Sequence, residues 1–236
     1  MSRLTVFNPK TARAKLNAGL AETSIHVSET QGEQLIAYLG LMAKWNHVYN
    51  LSAIRDTDKM ISHHLLDSLV ILPVLEQWLH ASNPDQNHPS ILDVGTGGGL
   101  PGVVLAIMHP EWNITLIDPV HKKTAFLQQV KGQLALTNLS VITGKVEDLP
   151  ASLRYDVVTS RAFASVIDFV TWSENVLADH GFFAAMKGVF PIEEMDNLNT
   201  TFLGKWLTTS VELHVPQLDA QRHLIQLKRT SFQNQG

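Results

Sequence analysis

Residues 93–102 read Asp93-Val94-Gly95-Thr96-Gly97-Gly98-Gly99-Leu100-Pro101-Gly102, and their first two residues end an apolar run that begins at Ser90. Five glycines in ten residues let the backbone take positive φ and let a ligand approach closer than any Cβ would permit. Gly97, Gly99 and Gly102 satisfy G-x-G-x-x-G, and Asp118 stands at the end of the next apolar run, Asn113–Ile117. A strand, a glycine turn and a helix in this order are the ligand-binding start of an open α/β sheet.

Downstream, short apolar runs continue to alternate with helical stretches. Strands are expected at 90–94, 113–117, 140–142, 156–159, 182–186, 207–215 and 223–228, and a helix is marked by Phe126, Leu127, Val130 and Leu134. The last two strands have no helix between them and read as an antiparallel pair, whereas runs apolar on both faces suit central parallel strands. The expectation is a doubly wound, seven-stranded, mostly parallel sheet over residues 89–236.

Upstream the period changes. Leu35, Leu39, Met42, Trp45 and Val48 recur at helical spacing, and Met60, Ile61, Leu65, Leu69 and Leu72 make a second apolar stripe behind the N-cap candidates Asp56-Thr57-Asp58. The polar stretch 81–89, with Pro84 and Pro89, cannot continue a helix. It places a boundary after residue 88, with residues 1–88 as an N-terminal helical extension.

Composition narrows the chemistry. The 236 residues are 44% hydrophobic, enough for a large core, and include no cysteine. That excludes disulfides, Cys-ligated metals and thiolate nucleophiles. With 18 Lys+Arg against 22 Asp+Glu, the net charge of −4 cannot hold nucleic acid by bulk attraction, so any such binding needs a local patch. No leader-like apolar segment or membrane span is seen, and the chain is expected to be cytoplasmic.

The charge around the glycine loop separates two ligand classes. A dinucleotide brings an anionic pyrophosphate, whereas S-adenosylmethionine brings a sulfonium, an ammonium and a ribose without phosphate. Asp93 comes just before the glycines, Asp118 ends the second strand and Glu147-Asp148 follow the third, a cluster of carboxylates at the sheet's carboxyl edge that favours the sulfonium compound as cofactor. A nicotinamide oxidoreductase is the reading this sets aside.

Several separated motifs resemble one family. Lys44-Trp45-Asn46, Tyr49-Asn50-Leu51, Arg55-Asp56, His64-Leu65-Leu66-Asp67-Ser68 and the glycine loop are similar to the glucose-inhibited division protein B family, the small-subunit (16S) ribosomal RNA guanine-N7 methyltransferases. Ser160-Arg161-Ala162-Phe163-Ala164, Lys187-Gly188 and Arg222-His223-Leu224 extend the resemblance to about 28–228. It implies a class I, Rossmann-like methyltransferase fold, with Gly95 and Leu100 on S-adenosylmethionine, Val146-Glu147 near the adenine and Arg161 on the cofactor's side of the substrate cleft. Gly97 and Asp118 join the expected cofactor set from the loop pattern.

The acceptor fits independently. Guanine N7 carries an in-plane lone pair and needs no general base, while methylation of pyrimidine C5 through a covalent adduct needs a nucleophile, usually Cys. The Asp/Asn-Pro-Pro-aromatic loop of exocyclic-amine methyltransferases is replaced after strand four by Ser160-Arg161-Ala162-Phe163. The resemblance makes Arg161 the candidate catalytic residue, acting by charge and hydrogen bonding; without it, an ion pair with Asp156 or Asp168 is the favoured reading.

Arg161, Lys187 and Arg222 are the RNA-binding candidates, and Arg154, Lys122, Lys123, Lys228 and Arg229 are further cations available for a patch. The expected partner is 16S ribosomal RNA, free or within a small-subunit particle, bound by a monomeric enzyme. His63, His64 and Asp67 have helical spacing for a metal, but no third ligand in matching context accompanies them, so no metal is expected and the stretch is read as packing and hydrogen bonding against the glycine-loop domain. A small-molecule methyltransferase is the second functional reading, and it would need an enclosed pocket in place of a cationic cleft.

Overall fold

The computed structural model of the chain describes residues 7–161, 163 and 165–230; Ala162 and Ala164 of the motif after strand four, and residues 1–6, lie outside these. The strands are β1 (Ser90–Val94), β2 (Asn113–Asp118), β3 (Leu139–Thr143), β4 (Tyr155–Arg161), β5 (Leu177–Lys187), β6 (Trp206–Glu212) and β7 (His223–Arg229). They make one sheet in the order β3-β2-β1-β4-β5-β7-β6. The first five run parallel, and β7 is antiparallel to both β5 and β6. The α/β sheet expected from the apolar runs is present.

Alternation along the strands assigns the two faces. Ile91, Val157 and Phe182 enter one apolar cluster, and their neighbours Leu92, Val158 and Phe183 enter the other. The first face is covered by α1 (Pro9–Leu20), α2 (Glu29–Tyr49), α3 (Thr57–Met60), α4 (Asp67–Leu69), α5 (Leu72–Ser82), α6 (Gly102–Met108) and α7 (His121–Gln133). The second is covered by α8 (Val166–Ser173) and α9 (Ile192–Thr201).

The helical residues before 88 share the first cluster with the sheet, from Ala12 through Leu35, Leu39 and Leu65 to Ile91, Phe126 and Leu224. Helix α2 begins with a capping box in which Ser28 and Gln31 satisfy each other's backbone N–H. Gln31 Nε2 also donates to Met108 O (2.9 Å), and Gln34 Nε2 donates to Leu134 O (3.1 Å). Both acceptors are carbonyls at helix C-termini, which lack intrahelical partners. Tyr38 Oη, fully buried, donates to Gly98 O at 2.7 Å and ties α2 to the glycine loop.

The apolar stripe from Met60 to Leu72 is buried throughout, yet it is not one helix. Between α3 and α4 the residues Ile61–Leu66 form a π-helical turn, in which Asp67 N reaches back to Ser62 O. Pro73, which has no N–H to donate, sits in the first turn of α5, where the chain restarts.

Candidate functional site

Strand order reverses between β1 and β4, and a crevice opens outside the carboxyl ends of strands at such a switch. The glycine loop leaves β1 there and Arg161 ends β4. Three neighbouring hollows, which share lining residues, follow this edge. The first, ≈ 470 Å³, is lined by Gly95, Asp118, Val146, Glu147, Phe163 and Trp172 among others. The second, ≈ 280 Å³, takes in Gly95, Gly97, Leu100, Met42, His64 and Arg161. The third, ≈ 400 Å³, is lined by His63, His64, Asp67, Arg161, Lys187 and Arg222, with Ile54, Met186 and Leu213 as apolar wall. Gly95 lines both of the first two; His64 and Arg161 line both the second and the third.

All the residues assigned from sequence to the cofactor line the first two hollows, and Arg161, Lys187 and Arg222 line the third. The glycines divide by task. Gly95 (φ +65) and Gly97 (φ +59) need the left-handed region, and a Cβ on Gly95 would meet no atom within 4 Å, projecting into open space. Gly102 instead allows packing, because a Cβ there would come within 2.2 Å of Leu116 Cδ2.

Asp93 does not face the trough as the sequence suggested. It is fully buried beneath the loop, where Oδ2 accepts from Thr96 Oγ1 (2.6 Å) and Gly102 N (2.9 Å), while Oδ1 has no partner. Burial pushes its carboxyl up to about 6, with the two hydrogen bonds and the Arg161 charge pulling the other way. Asp118 is likewise buried, but it lines the first hollow. Its oxygens accept from Gly97 N (3.0 Å), Val120 N (2.9 Å) and Lys123 Nζ (3.1 Å). The Pro119-Val120-His121 turn is thus closed on Asp118 and opens α7.

Arg161 pairs with neither Asp156 nor Asp168. Its Nη1 donates to His63 O (2.9 Å) and to Asp67 Oδ2 (3.1 Å), and Arg222 Nε donates to Asp67 Oδ1 at 2.6 Å. Asp67, its side chain 3% exposed, therefore holds one guanidinium with each oxygen. Asp156 is occupied at the opposite edge of the sheet by Ser90 and His180. The expectation that 63–67 packs and hydrogen-bonds against the glycine-loop domain holds, with the two arginines as the partners of Asp67, while His64 lies along the loop's hollow. Among the described residues no group of three His, Asp or Glu is placed to hold a metal.

His64 Nε2 is 2.9 Å from Ser52 Oγ, and burial, helped by the Arg161 charge, lowers its imidazole to about 4. Lys187 Nζ lies 3.0 Å from Glu194 Oε2, which also accepts from Val166 N (2.9 Å), so this cation braces β5, α9 and the start of α8. The other cations spread out. Lys123 belongs to Asp118, while Arg154, Lys228 and Arg229 stand at the sheet's amino edge, Arg229 over the Trp206 ring. The basic patch is concentrated at Arg161 and Arg222. Phe163 and Trp172 pack edge to face on the wall of the first hollow (5.5 Å between centroids). No described helix is long and apolar enough to cross a membrane.

Comparison with known proteins identifies the family. A crystal structure of the YcgJ protein from Bacillus subtilis is 14% identical with a TM-score of 0.50, covering 67% of this chain and 99% of that one; this likeness concerns the fold. Ribosomal RNA small subunit methyltransferase G of Janthinobacterium sp. (strain Marseille) is 49% identical over 90% of this chain and 92% of its own length. The protein of the same name from Neisseria meningitidis serogroup B is 45% identical over 92% and 98%. The GidB family model, described as rRNA small subunit methyltransferase G, matches residues 31–225, and the chain belongs to that family.

Proposed function

We propose that the trough holds S-adenosylmethionine across its first two hollows and presents its methyl group to N7 of a guanine of 16S ribosomal RNA in the third. Membership of the family makes the chain an S-adenosylmethionine-dependent ribosomal RNA methyltransferase. The observation that carries the residue assignment is the adjacency of the hollows, with Gly95 lining both of the first two and Arg161 and His64 lining both of the last two.

The residues fit the cofactor. The clearance above Gly95, where a Cβ would enter the open trough, suits a ligand lying on the backbone. Asp118 accepts three hydrogen bonds and keeps acceptor capacity for a ribose hydroxyl. Val146, Phe163 and Trp172 offer apolar surface for the adenine, with Glu147 at the exposed rim. When bound, S-adenosylmethionine supplies a methyl group on a sulfonium that passes to the N7 lone pair while the C–S electrons stay on sulfur.

No proton moves in this transfer, and none of the lining groups has to act as a base. The neutral His64 adds no charge at the junction, consistent with its lowered pKa. Arg161 donates to His63 O and Asp67 through Nη1, so its other N–H groups can turn to guanine O6 and hold the base in line. Arg222 and, at the rim, Lys187 meet phosphate; Lys187 shares its charge with Glu194, so the arginines carry most of that contact. The enzyme works as a monomer in this reading, on RNA or on a small-subunit particle.

The test is to map N7-methylguanosine in small-subunit ribosomal RNA from cells with and without this chain, and to restore it with purified protein and labelled S-adenosylmethionine. One guanine should lose its mark and regain it. An unchanged map together with no label transfer overturns the reading.

A further inference from the structure

We infer that the third hollow is a pocket for a single extruded nucleotide, so that the acceptor guanine must be unpaired when it is methylated. This rests on the reading of the chain as a guanine-N7 methyltransferase and names the state in which its substrate is taken.

The first argument is position. The wall shared with the cofactor's side of the trough consists of Arg161, whose side chain is 24% exposed, and His64, which is 3% exposed. The junction is recessed between the 54–67 segment and the edge of β4 and β5 rather than displayed on a ridge. N7 of a paired guanine lies in the major groove, and in an A-form helix that groove is deep and too narrow for side chains to read. A recessed donor and a recessed acceptor atom do not meet. Unstacking the base removes the obstruction, at a cost that is smallest in loops and bulges.

The second argument is the character of the hollow. Its ≈ 400 Å³ lies at the small end of the range for ligand pockets, which suits one nucleotide and not a duplex segment. Ile54, Met186 and Leu213 give it apolar walls for the faces of a base, while Arg161 and Arg222 stand where O6 and the phosphate would lie. Asp67 fixes both guanidinium groups from behind, at 3.1 and 2.6 Å, so the polar side of the pocket is set before RNA arrives. A surface meant only to follow a duplex backbone would not need the apolar walls.

Two measurements on the whole protein test this, using small-subunit ribosomal RNA that carries the unmodified guanine. Leu213→Trp places an indole in the hollow. Label transfer should fall at least a hundredfold, while S-adenosylmethionine binding by calorimetry and the melting temperature stay within error of the wild type. Ile54→Trp gives the same readout from another lining residue if the first variant does not fold. In parallel, a complementary oligonucleotide annealed across the mapped guanine should cut wild-type transfer at least tenfold, and one annealed elsewhere should not. Wild-type transfer by a folded, pocket-filled variant, or undiminished transfer to the paired guanine, overturns the inference and leaves the methyltransferase reading standing. No transfer by the wild-type protein to any guanine would instead remove that reading.

Discussion

Asp67 and Arg161 form the smallest unit on which the site depends. Arg161 Nη1 serves both His63 O and Asp67, and the planar fork leaves Nη2 and Nε to aim elsewhere, whereas the three donors of a lysine all sit on one nitrogen. Arg161→Lys should therefore slow single-turnover methyl transfer about 30- to 1000-fold, equivalent to about 2–4 kcal/mol of lost transition-state contact, and lower the melting temperature only slightly. A stable variant with wild-type turnover would take Arg161 out of the reaction. Asp67 is a positioning residue, since its oxygens touch arginines and not the reacting atoms. Asp67→Asn keeps one acceptor and loses the other, releasing one of the two guanidinium groups at a stability cost of about 1–3 kcal/mol. Its turnover should fall and its KM for RNA should rise together, because one guanidinium is assigned to the base and the other to phosphate; a change in melting temperature alone would mark a purely structural pair.

At the scale of elements, the glycine loop and the 57–69 segment build the trough from opposite sides. Gly97→Val puts a branched side chain at φ +59, costing about 1–3 kcal/mol of backbone strain, and points it into the second hollow. Gly204→Val imposes similar strain at φ +75, with nothing within 4 Å of its Cβ and no part in the three hollows. Both should lose stability, but only the first should lose S-adenosylmethionine binding by calorimetry; equal affinities would separate the loop from the cofactor. The loop was legible in the sequence because positive φ and close approach leave glycine few substitutes, and β1, β4 and β5 were legible because central strands buried on both faces are mostly apolar. The π-helical turn was not. A buried stripe of Met60, Ile61, Leu65, Leu69 and Leu72 satisfies a helical period whether or not one turn is widened. The Asp67 clamp was hidden for a different reason: its partners lie 94 and 155 residues away, and an ion pair between distant residues leaves no local pattern. Asp156 and Asp168 were equally plausible partners for Arg161 until the fold carried Asp156 to the other end of β4. Tyr38 was missed likewise, since a buried hydroxyl in a helix stripe reads simply as core.

Across the whole molecule, two buried groups beside the trough titrate against each other. Burial raises Asp93 from 3.8 to about 6, so between those values the folded state holds a proton that the unfolded state lacks, and acidification through the window favours folding. The proton's natural place is Oδ1, which has no partner, because Oδ2 is engaged by Thr96 and Gly102. Burial and the Arg161 charge lower His64 from 6.5 to about 4, so over nearly the same window the unfolded state holds the extra proton and acidification favours unfolding. At 1.36 kcal/mol per pH unit each effect amounts to about 3 kcal/mol, and in the intact protein they cancel. Asp156 enters only at lower pH. Burial alone would raise it, but the hydrogen bonds from Ser90 and His180 outweigh that and hold it below 3.8, so its contribution is present above the unfolded value and is lost as pH falls through the folded one. The cancellation is exposed by removing one member. Asp93→Asn mimics the protonated carboxyl, and its melting temperature should exceed the wild type's most at pH 7.5, with the advantage shrinking steadily toward pH 4. For His64→Gln the difference from wild type should move the opposite way, shifting in the variant's favour by about 3 kcal/mol, or about 6–12 °C in a chain of this size, between pH 6.5 and 4. Thermal unfolding of the three proteins across that range decides the matter, and differences that do not change with pH would show that neither group carries the assigned proton.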